Sequence, residues 1–296
     1  MSDAAWGSVP TTRSARVRPL GANDAEAVST FLHDRVDSKR SADEWRTLFE
    51  HRWDRDRSPV GYALVDGNEI VGFIGTIRSK RIINGVVEAF CNLTTWYVLP
   101  QYRGSGLLLL LQAIKHGDGT ITNLTPTVDV EQICVRLGFR VLEERKVALL
   151  PLLNARSLAA RGTVRVVRDR EKLRGLLGER DRQVFDDHKD YACSHFVVVA
   201  ETGYAYLVTK RRTKRHVPFS DVLYCSDIQV FMKHVERVKL AILRQDRTAA
   251  LMIDRRFLHG HRPLGFNVAR RTLFRSRELT AGDIDNLYSE LVFLRN

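Results

Sequence analysis

Apolar and polar residues follow one another along the chain in short segments that predict a mixture of strands and helices. Apolar runs and alternating patterns predict strands at 15–20, 60–65, 69–78, 86–98, 120–124, 139–142 and 147–150. Apolar residues at helical spacing predict helices from Asn23 or Asp24 to about Asp34, from Ser41 onward, over 107–115 and over 128–137. This order predicts a mixed α/β fold in which helices flank a mixed central sheet.

Two local sequence signals support this assignment of strands and helices. Asp66-Gly67-Asn68 lies between two apolar runs, which is typical of a β-hairpin turn. Ser41-Ala42-Asp43-Glu44 has the residues of a capping box and predicts the start of a helix. Trp45, Phe49 and Trp53 follow at helical spacing, so these aromatic residues belong either to the core or to the wall of an apolar pocket.

The second half of the chain repeats the order of the first. It has strand patterns at 163–167, 196–201, 204–209, 222–224 and 249–253, and helix patterns at 171–188, 230–243 and 281–291. Leu264-Gly265-Phe266 also echoes Leu137-Gly138-Phe139. A matched order of this kind predicts an internal duplication, with one domain over 15–151, a connector over 152–162 and a second domain over 163–296.

Composition narrows the class of protein. The chain has 296 residues, of which 44% are hydrophobic and 28% are charged, as in ordinary globular proteins. No apolar run approaches the roughly 18 residues of a membrane span. Residues 1–14 lack the pattern of a secretory signal, so we expect a cytoplasmic protein. The four cysteines have no metal-ligand spacing, which predicts buried thiols and no metal site.

Positive charge is concentrated in the second half. The net charge is +12, with 19 Lys and Arg against 18 Asp and Glu in residues 1–150, and 28 against 17 in residues 151–296. The run Lys210–His216, which we expect to be a loop, and Arg270-Arg271 add to this excess. A basic half can attract a phosphorylated or otherwise anionic acceptor, an anionic membrane surface or a nucleic acid. A nucleic acid is not favoured, because the run lacks the interleaved aromatic residues of a single-strand binder. A surface that is simply rich in arginine is the alternative.

A glycine-containing turn at residues 98–106 is the strongest candidate for a binding site. Val98-Leu99-Pro100 ends a predicted strand, and Gly104-Ser105-Gly106 leads directly into a predicted helix. Glycine lets a ligand approach the backbone closely, and a helix N-terminus carries partial positive charge. With Arg103 as an added cation, the turn predicts an anion site that is neither a Walker loop nor a dinucleotide fingerprint.

These residues resemble a known family. Gln101-x-x-Gly104-x-Gly106 after Val98-x-Pro100 resembles the acetyl-CoA pyrophosphate loop of the GNAT (N-acetyltransferase) superfamily, and Leu137-Gly138-Phe139-Arg140 resembles its second signature. The resemblance covers residues 15–150 and implies two tandem GNAT-like domains, the second degenerate. It implies acetyl-CoA as co-substrate, bound by Trp96, Val98, Gln101, Tyr102, Arg103, Gly104, Ser105 and Gly106. Tyr224–Gln229 of the second half lacks glycine and carries Asp227, so we expect one such site in the chain.

The resemblance also indicates where catalytic groups are expected. The position of the family's carboxylate base is Asn92, which cannot act as a base but can hold a water. Strand alternation puts Glu88, Asn92 and Trp96 on one face, so Glu88 is either a base acting through water or a solvated carboxylate. The position of the family's proton-donating tyrosine is Cys134, which is either an acid or a small core residue.

The sequence therefore predicts an acyltransferase that moves an acetyl group from acetyl-CoA directly to the amine, or hydroxyl, of a small-molecule or sugar acceptor. The departures from the family pattern at Asn92 and Cys134 keep a second class open, a non-catalytic protein that senses acyl-CoA. A third class is an aminoacyl-tRNA-dependent transferase, because such enzymes resemble paired GNAT folds and carry basic surfaces.

Overall fold

The computed structural model describes residues 15–50, 53, 59–152 and 163–294. Its strands are β1 Arg16–Leu20, β2 Gly61–Asp66, β3 Glu69–Ile83, β4 Val86–Val98, β5 Thr120–Asn123, β6 Arg140–Leu149, β7 Val164–Val167, β8 Ser194–Ala200, β9 Gly203–Lys214, β10 Val217–Cys225, β11 Ala250–Asp254 and β12 Phe266–Arg275. Its α-helices are α1 Ala25–Arg35, α2 Ala42–Arg46, α3 Gly106–Lys115, α4 Val128–Arg136, α5 Arg170–Leu176, α6 Glu179–His188, α7 Ile228–Lys233, α8 Val235–Asp246 and α9 Glu290–Phe293. Most of the connector expected over 152–162 lies outside the described residues.

The two halves follow the same succession of strand pairings. β1 to β4 are antiparallel neighbours, and β4 then pairs in parallel with β5. β7 to β10 repeat the antiparallel succession, and β10 then pairs in parallel with β11. The prediction of a mixed α/β fold with repeated halves is confirmed.

The halves are joined by an exchange of their last strands. The order in the sheet is β1-β2-β3-β4-β5-β12-β6-β11-β10-β9-β8-β7. β12 of the second half therefore lies between β5 and β6 of the first, and β6 lies between β12 and β11 of the second, with antiparallel pairing at each contact. One sheet runs through both halves, and the domain boundaries at 151 and 163 stay a prediction.

The predicted helix cap and the predicted hairpin turn both form. Ser41 Oγ accepts a hydrogen bond from Glu44 N, and Glu44 Oε2 accepts one from Ser41 N, each at 3.2 Å, so the capping box forms as predicted. Gly67 has φ +60° in the turn between β2 and β3, a conformation that glycine adopts easily. α2 nevertheless ends at Arg46 and is followed by a short 3-10 turn to Phe49, so this helix is shorter than the aromatic spacing predicts.

The helix predicted over 281–291 is wrong. A 3-10 turn at Ala281–Asp283 is followed by an irregular segment, and α9 begins only at Glu290. Tyr288 has φ +54°, and Asn286 N donates to the Leu223 carbonyl at 3.1 Å. Tertiary contacts with β10 therefore override the helical pattern of this segment.

The basic run Lys210–His216 is not a loop. Its first residues continue β9, and only Arg215 and His216, with φ +49° and +67°, form the turn to β10. Lys210 and Arg212 are 3% and 5% exposed, and they donate to the carbonyls of Val292 and Leu291 at 2.6 and 2.7 Å. Two of the seven residues of the run are therefore buried against the C-terminal segment, and the other five are exposed.

A buried ionic network crosses the sheet where the halves meet. Lys146 of β6 pairs with Asp221 of β10 and, at 3.3 Å, with Asp254 of β11. Arg256 lies 3.2 Å from Asp254 on its other side. Burial by itself raises the pKa of Asp254, but Lys146, Arg256 and a hydrogen bond from Asn286 hold this pKa below its ordinary value. The network therefore keeps a charged carboxylate inside the sheet.

In the described ranges no helix is long and apolar enough to cross a bilayer. The same residues contain no group of three or more His, Cys, Asp or Glu side chains that could hold a metal ion. The four cysteines are free, and Cys91, Cys134 and Cys193 are buried.

Lys146→Ala should lower the free energy of unfolding by about 3–5 kcal/mol, because it leaves the buried carboxylates of Asp221 and Asp254 without the cation that pairs with both. Urea denaturation followed by circular dichroism measures the loss. Arg145→Ala, at the exposed neighbouring position of β6, should change stability by less than about 0.5 kcal/mol. Equal losses in the two variants would contradict a stabilising role for the network.

Candidate active site

The candidate site lies where two parallel strands of the first half separate. β4 and β5 pair only over Phe90–Leu93 and Thr120–Asn123. β4 then carries an additional residue: its register with β3 shifts beyond the Gly75–Thr94 pair, and Thr95 has φ +47°. In the described part of the chain no strand pairs with the β5-facing edge of β4 after Leu93, so its backbone polar groups have no strand partner there.

The bulge reverses the direction of the side chains that follow it. Cys91 and Leu93 lie in the apolar cluster under α3, and Trp96 packs against the same cluster. Asn92 points away from that cluster and donates to Glu290. The prediction that Trp96 shares a face with Asn92 is therefore wrong, because the extra residue shifts the alternation by one position.

A cavity of about 410 Å³ opens at the separated strands. α2, the bulge of β4 and the start of α4 form its first-half walls, and β9, β12 and the C-terminal segment form the others. Its main polar lining residues are Thr94, Thr95, Asn123, Arg212, Arg270 and Glu290. The volume is within the usual range of small-molecule sites.

The carboxyl group in this cavity belongs to Glu290, the first residue of α9. Its Oε2 accepts a hydrogen bond from Asn92 Nδ2, and its Oε1 accepts one from Thr125 Oγ1 at 2.8 Å. Burial raises the pKa of Glu290, and the hydrogen bonds and the charge of Arg270 oppose this only in part. A buried carboxyl group of raised pKa beside an open cavity has the properties of a general base.

The structure brings one of the three predicted catalytic residues to this carboxyl group. Asn92 is 1% exposed, and its Oδ1 accepts from Thr122 Oγ1 at 3.0 Å, so its amide is held between Thr122 and Glu290. Glu88 precedes the β4–β5 pairing and lines a different cavity of about 540 Å³. Cys134 is buried in the cluster under α3, where burial raises the pKa of its thiol to about 11.

Sequence reasoning missed Glu290. It is 198 residues from Asn92 along the chain and lies in the segment where a longer helix was expected. Its only signal is a single charge inside the apolar stretch Leu287-Tyr288-Ser289-Glu290-Leu291-Val292-Phe293. Charged residues are rarely buried without a specific partner, but the sequence alone does not name that partner.

Two arginines of the second half face the same cavity. The Arg212 Nε lies 3.4 Å from Asp221 without a hydrogen bond. Arg270 is half-buried, donates to the Leu124 carbonyl at 3.1 Å, and leaves its Nε without a hydrogen-bond partner. Burial lowers the pKa of Arg212; Asp221 opposes this, and the like charge of Arg270 lowers the pKa further. The two guanidinium groups are therefore close enough to repel one another.

The predicted pyrophosphate loop is a 3-10 helix, Pro100–Ser105, that continues into α3. Tyr102 is buried, and its hydroxyl donates to Asp66 Oδ2, which ties the loop to the turn between β2 and β3. Gly106 packs on the end of β4, where a Cβ would lie 3.3 Å from Val98 Cγ2.

The outer side of this loop is open. A Cβ on Gly104 would meet nothing within 4 Å, and Gln101 and Arg103 are exposed while Ser105 is half-buried. The first turn of α3 has no acidic residue. The Gly106 N–H already donates to the Arg103 carbonyl of the 3-10 helix. The features that fit a bound anion such as a pyrophosphate are therefore the exposed cation of Arg103, the absence of acidic residues in this turn and the partial positive charge of the helical start at Pro100.

The matching position of the second half is already filled by a carboxylate. Asp227 precedes α7, and its Oδ1 accepts from Gln229 N at 2.8 Å and from Val230 N at 3.0 Å. The backbone donors that would bind an anion at this helix start therefore have an internal partner.

The three aromatic residues predicted on one helix go to different places. Trp45 lines the cavity, and Phe49 packs against the apolar cluster beneath α1. Trp53 packs against Tyr191 and Tyr288 of the second half, with ring centroids 5.1 and 5.3 Å apart.

No protein-family model and no curated protein sequence matches this chain. The fold, in contrast, is similar to several solved structures. A GCN5-related N-acetyltransferase from Kribbella flavida matches with a TM-score of 0.55 and 16% identity, over 89% of this chain and 72% of that one. A GCN5-related N-acetyltransferase from Anabaena variabilis matches with a TM-score of 0.52 and 8% identity, over 88% and 72%.

A third match is a GCN5-related glucosamine N-acetyltransferase region of a fungal multi-domain GH3 β-N-acetylglucosaminidase. It has a TM-score of 0.56 and 13% identity, and covers 92% of this chain and 39% of that one. The resemblance inferred from the sequence motifs therefore extends to the whole architecture: this chain has the fold of the GCN5-related N-acetyltransferases.

Proposed function

We propose that this protein is an acyltransferase that moves an acetyl group from acetyl-CoA to the amine of a small acceptor, by direct transfer while both substrates are bound. The observation that carries the proposal is the Glu290 carboxyl group. It occupies the cavity between the separated strands and is hydrogen-bonded to Asn92. It supplies the base that the sequence of β4 lacks.

The chemistry requires a neutral amine, and Glu290 is placed to provide one. An amine enters mostly as ammonium, so the carboxylate of Glu290 would accept one proton before the nitrogen attacks the thioester carbonyl. The new C–N bond forms as the C–S bond breaks, and the second proton of the nitrogen goes to the leaving CoA thiolate, which departs as the thiol. The Asn92 amide and the Thr125 hydroxyl both donate to this carboxyl group and fix its orientation. A pKa raised by burial makes the ionised form a stronger base than an exposed glutamate.

The loop at 100–106 is suited to bind the co-substrate. Acetyl-CoA supplies the reactive thioester and carries a pyrophosphate. The open backbone at Gly104, the side chain of Arg103 and the start of α3 together favour that negative charge. The unpaired edge of β4 after Leu93 offers backbone groups to the extended arm of the same molecule.

Gly104→Asp should weaken CoA binding by about tenfold or more, because it places a negative charge where the pyrophosphate is proposed to lie. Gly104→Ala is the matched control, since a Cβ at this position meets nothing within 4 Å. Isothermal titration calorimetry measures both. If the aspartate variant is folded and binds CoA as tightly as the parent, the proposed loop site is wrong.

Glu290→Gln should lower kcat by about 10²-fold, as expected for loss of a general base. The parent should also lose kcat/KM as the pH falls through the raised pKa of Glu290, because the protonated carboxyl group cannot accept a proton. The variant should lack this acidic limb. Glu88→Gln is the matched control and should keep both the rate and the pH profile, since Glu88 lines another cavity. The opposite pattern would return the role of base to Glu88.

Calorimetry should give one CoA per chain. The Asp227 carboxylate occupies the backbone donors at the start of α7 and would repel a pyrophosphate there. The first-half loop has no such competitor in the first turn of its helix. A stoichiometry of two would contradict this assignment, and Asp227→Ala is the variant that tests whether the carboxylate blocks a second site.

A further inference from the structure

We propose that the acceptor is a small amine that also carries a carboxylate, and that Arg270 and Arg212 bind this carboxylate. The inference rests on the proposed acyltransferase function and specifies its acceptor. It is carried by the charges that line the cavity of Glu290.

Arg270 forms no salt bridge within the described residues, although its charge acts on Glu290. A guanidinium group has five N–H donors. In Arg270 one of them donates to the Leu124 carbonyl, and the Nε donor is buried without a hydrogen-bond partner. Within the described ranges no carboxylate lies within ion-pair distance of it, although it is half-buried and lines the cavity. Its planar fork matches a carboxylate in two parallel hydrogen bonds.

Arg212 adds a second, more deeply buried donor. It is 5% exposed, its Nε makes no hydrogen bond, and it lines the same cavity. Like charges held close together in a site of low dielectric destabilise one another. An anion bound between the two guanidinium groups would remove this repulsion, whereas a cationic group would increase it.

The charges around the cavity leave an excess of cations. Arg212 and Arg270 line the cavity against the single lining carboxyl group of Glu290. Away from the lining, Lys146 and Arg256 balance Asp221 and Asp254. One positive charge is therefore unmatched when Glu290 is ionised, and two when it is protonated. An acceptor that enters as an ammonium group and also carries a carboxylate has no net charge, so the cavity keeps one unmatched positive charge before and after the proton moves to Glu290. An ammonium group without a carboxylate would raise this to two.

The volume of the cavity limits the size of the acceptor. About 410 Å³ must hold the acceptor together with the reacting end of the acyl donor. That space suits a molecule of the size of a free amino acid, with its amine at Glu290 and its carboxylate at the arginines. A nucleic acid is too large for this cavity, because one of its phosphate groups would have to reach the arginines through the same confined space.

The test compares amino acids with amines that lack the carboxylate. With saturating acetyl-CoA, release of the CoA thiol is followed for β-alanine against ethylamine, for 4-aminobutyrate against propylamine, and for each standard amino acid against its amide. The parent should prefer at least one carboxylated member by about 10- to 100-fold in kcat/KM, as expected for a hydrogen-bonded charge pair. Arg270→Gln should bring this preference close to unity, mainly through KM.

Arg271→Gln is the matched control. Arg271 is the next residue of β12 and is exposed, and it pairs with Glu131 and Glu144 instead of facing the cavity. This variant should keep the preference of the parent. Arg270→Lys should keep more of the preference than Arg270→Gln, because lysine retains the positive charge but lacks the planar guanidinium group that makes two parallel hydrogen bonds.

The outcomes separate the inference from the function on which it rests. Transfer to carboxylated and uncarboxylated amines with equal kcat/KM would overturn the inference and leave the acyltransferase intact. A preference for 2-aminoethyl phosphate over every amino acid would also overturn it, in favour of a phosphate. Absence of transfer to any amine would overturn the proposed function.

If no amine is acetylated, thermal unfolding still tests whether the two arginines bind a carboxylate. Amino acids at millimolar concentration, with CoA present, should raise the Tm of the parent and of Arg271→Gln but not of Arg270→Gln. If none of the amino acids raises the Tm of the parent, the inference fails.

Discussion

The exchange of β6 and β12 is the constraint on which the rest of the structure depends. β12 has first-half strands on both sides, and β6 has second-half strands on both sides. Backbone donors and acceptors inside a sheet must be paired, so neither half can complete its sheet without the other. The exchange also brings side chains of the two halves together, because Lys146 of β6 lies directly opposite Asp254 of β11 and forms an ion pair with it.

The cavity is a consequence of this joint construction. The first half supplies the separated strands, the bulge and the glycine loop, whereas Glu290, Arg212 and Arg270 all come from the second half. The C-terminal segment reaches the cavity because Lys210 and Arg212 of β9 bind its carbonyls. The second half therefore contributes charged groups to the lining of the cavity and also completes the sheet.

The helix starts at corresponding positions of the two halves, α3 and α7, differ in their acidic residues. At α7 the Asp227 carboxylate accepts the helix-start N–H groups, while the first turn of α3 contains no acidic residue. The same contrast holds inside the protein. Asp254 has two cations and an amide donor around it, but in the described part of the chain Arg270 has no carboxylate partner. Buried charge is costly unless it is paired, which makes the exception at the cavity informative about its ligand.

The sequence by itself determined most strands of the first half, the hairpin turn, the capping box, the glycine-containing turn before α3 and the repeated order of the second half. Each depends on residues within about one turn or one strand of each other, where periodicity and turn chemistry decide the conformation. The sequence pattern divided β6, which is one strand from Arg140 to Leu149, into two. Only the tertiary structure decided the bulge at Thr95, the strand exchange and the irregular segment before Glu290. It also decided that Glu290, rather than Glu88, lies beside Asn92, because this contact joins residues 198 positions apart and depends on packing between halves that no local pattern records.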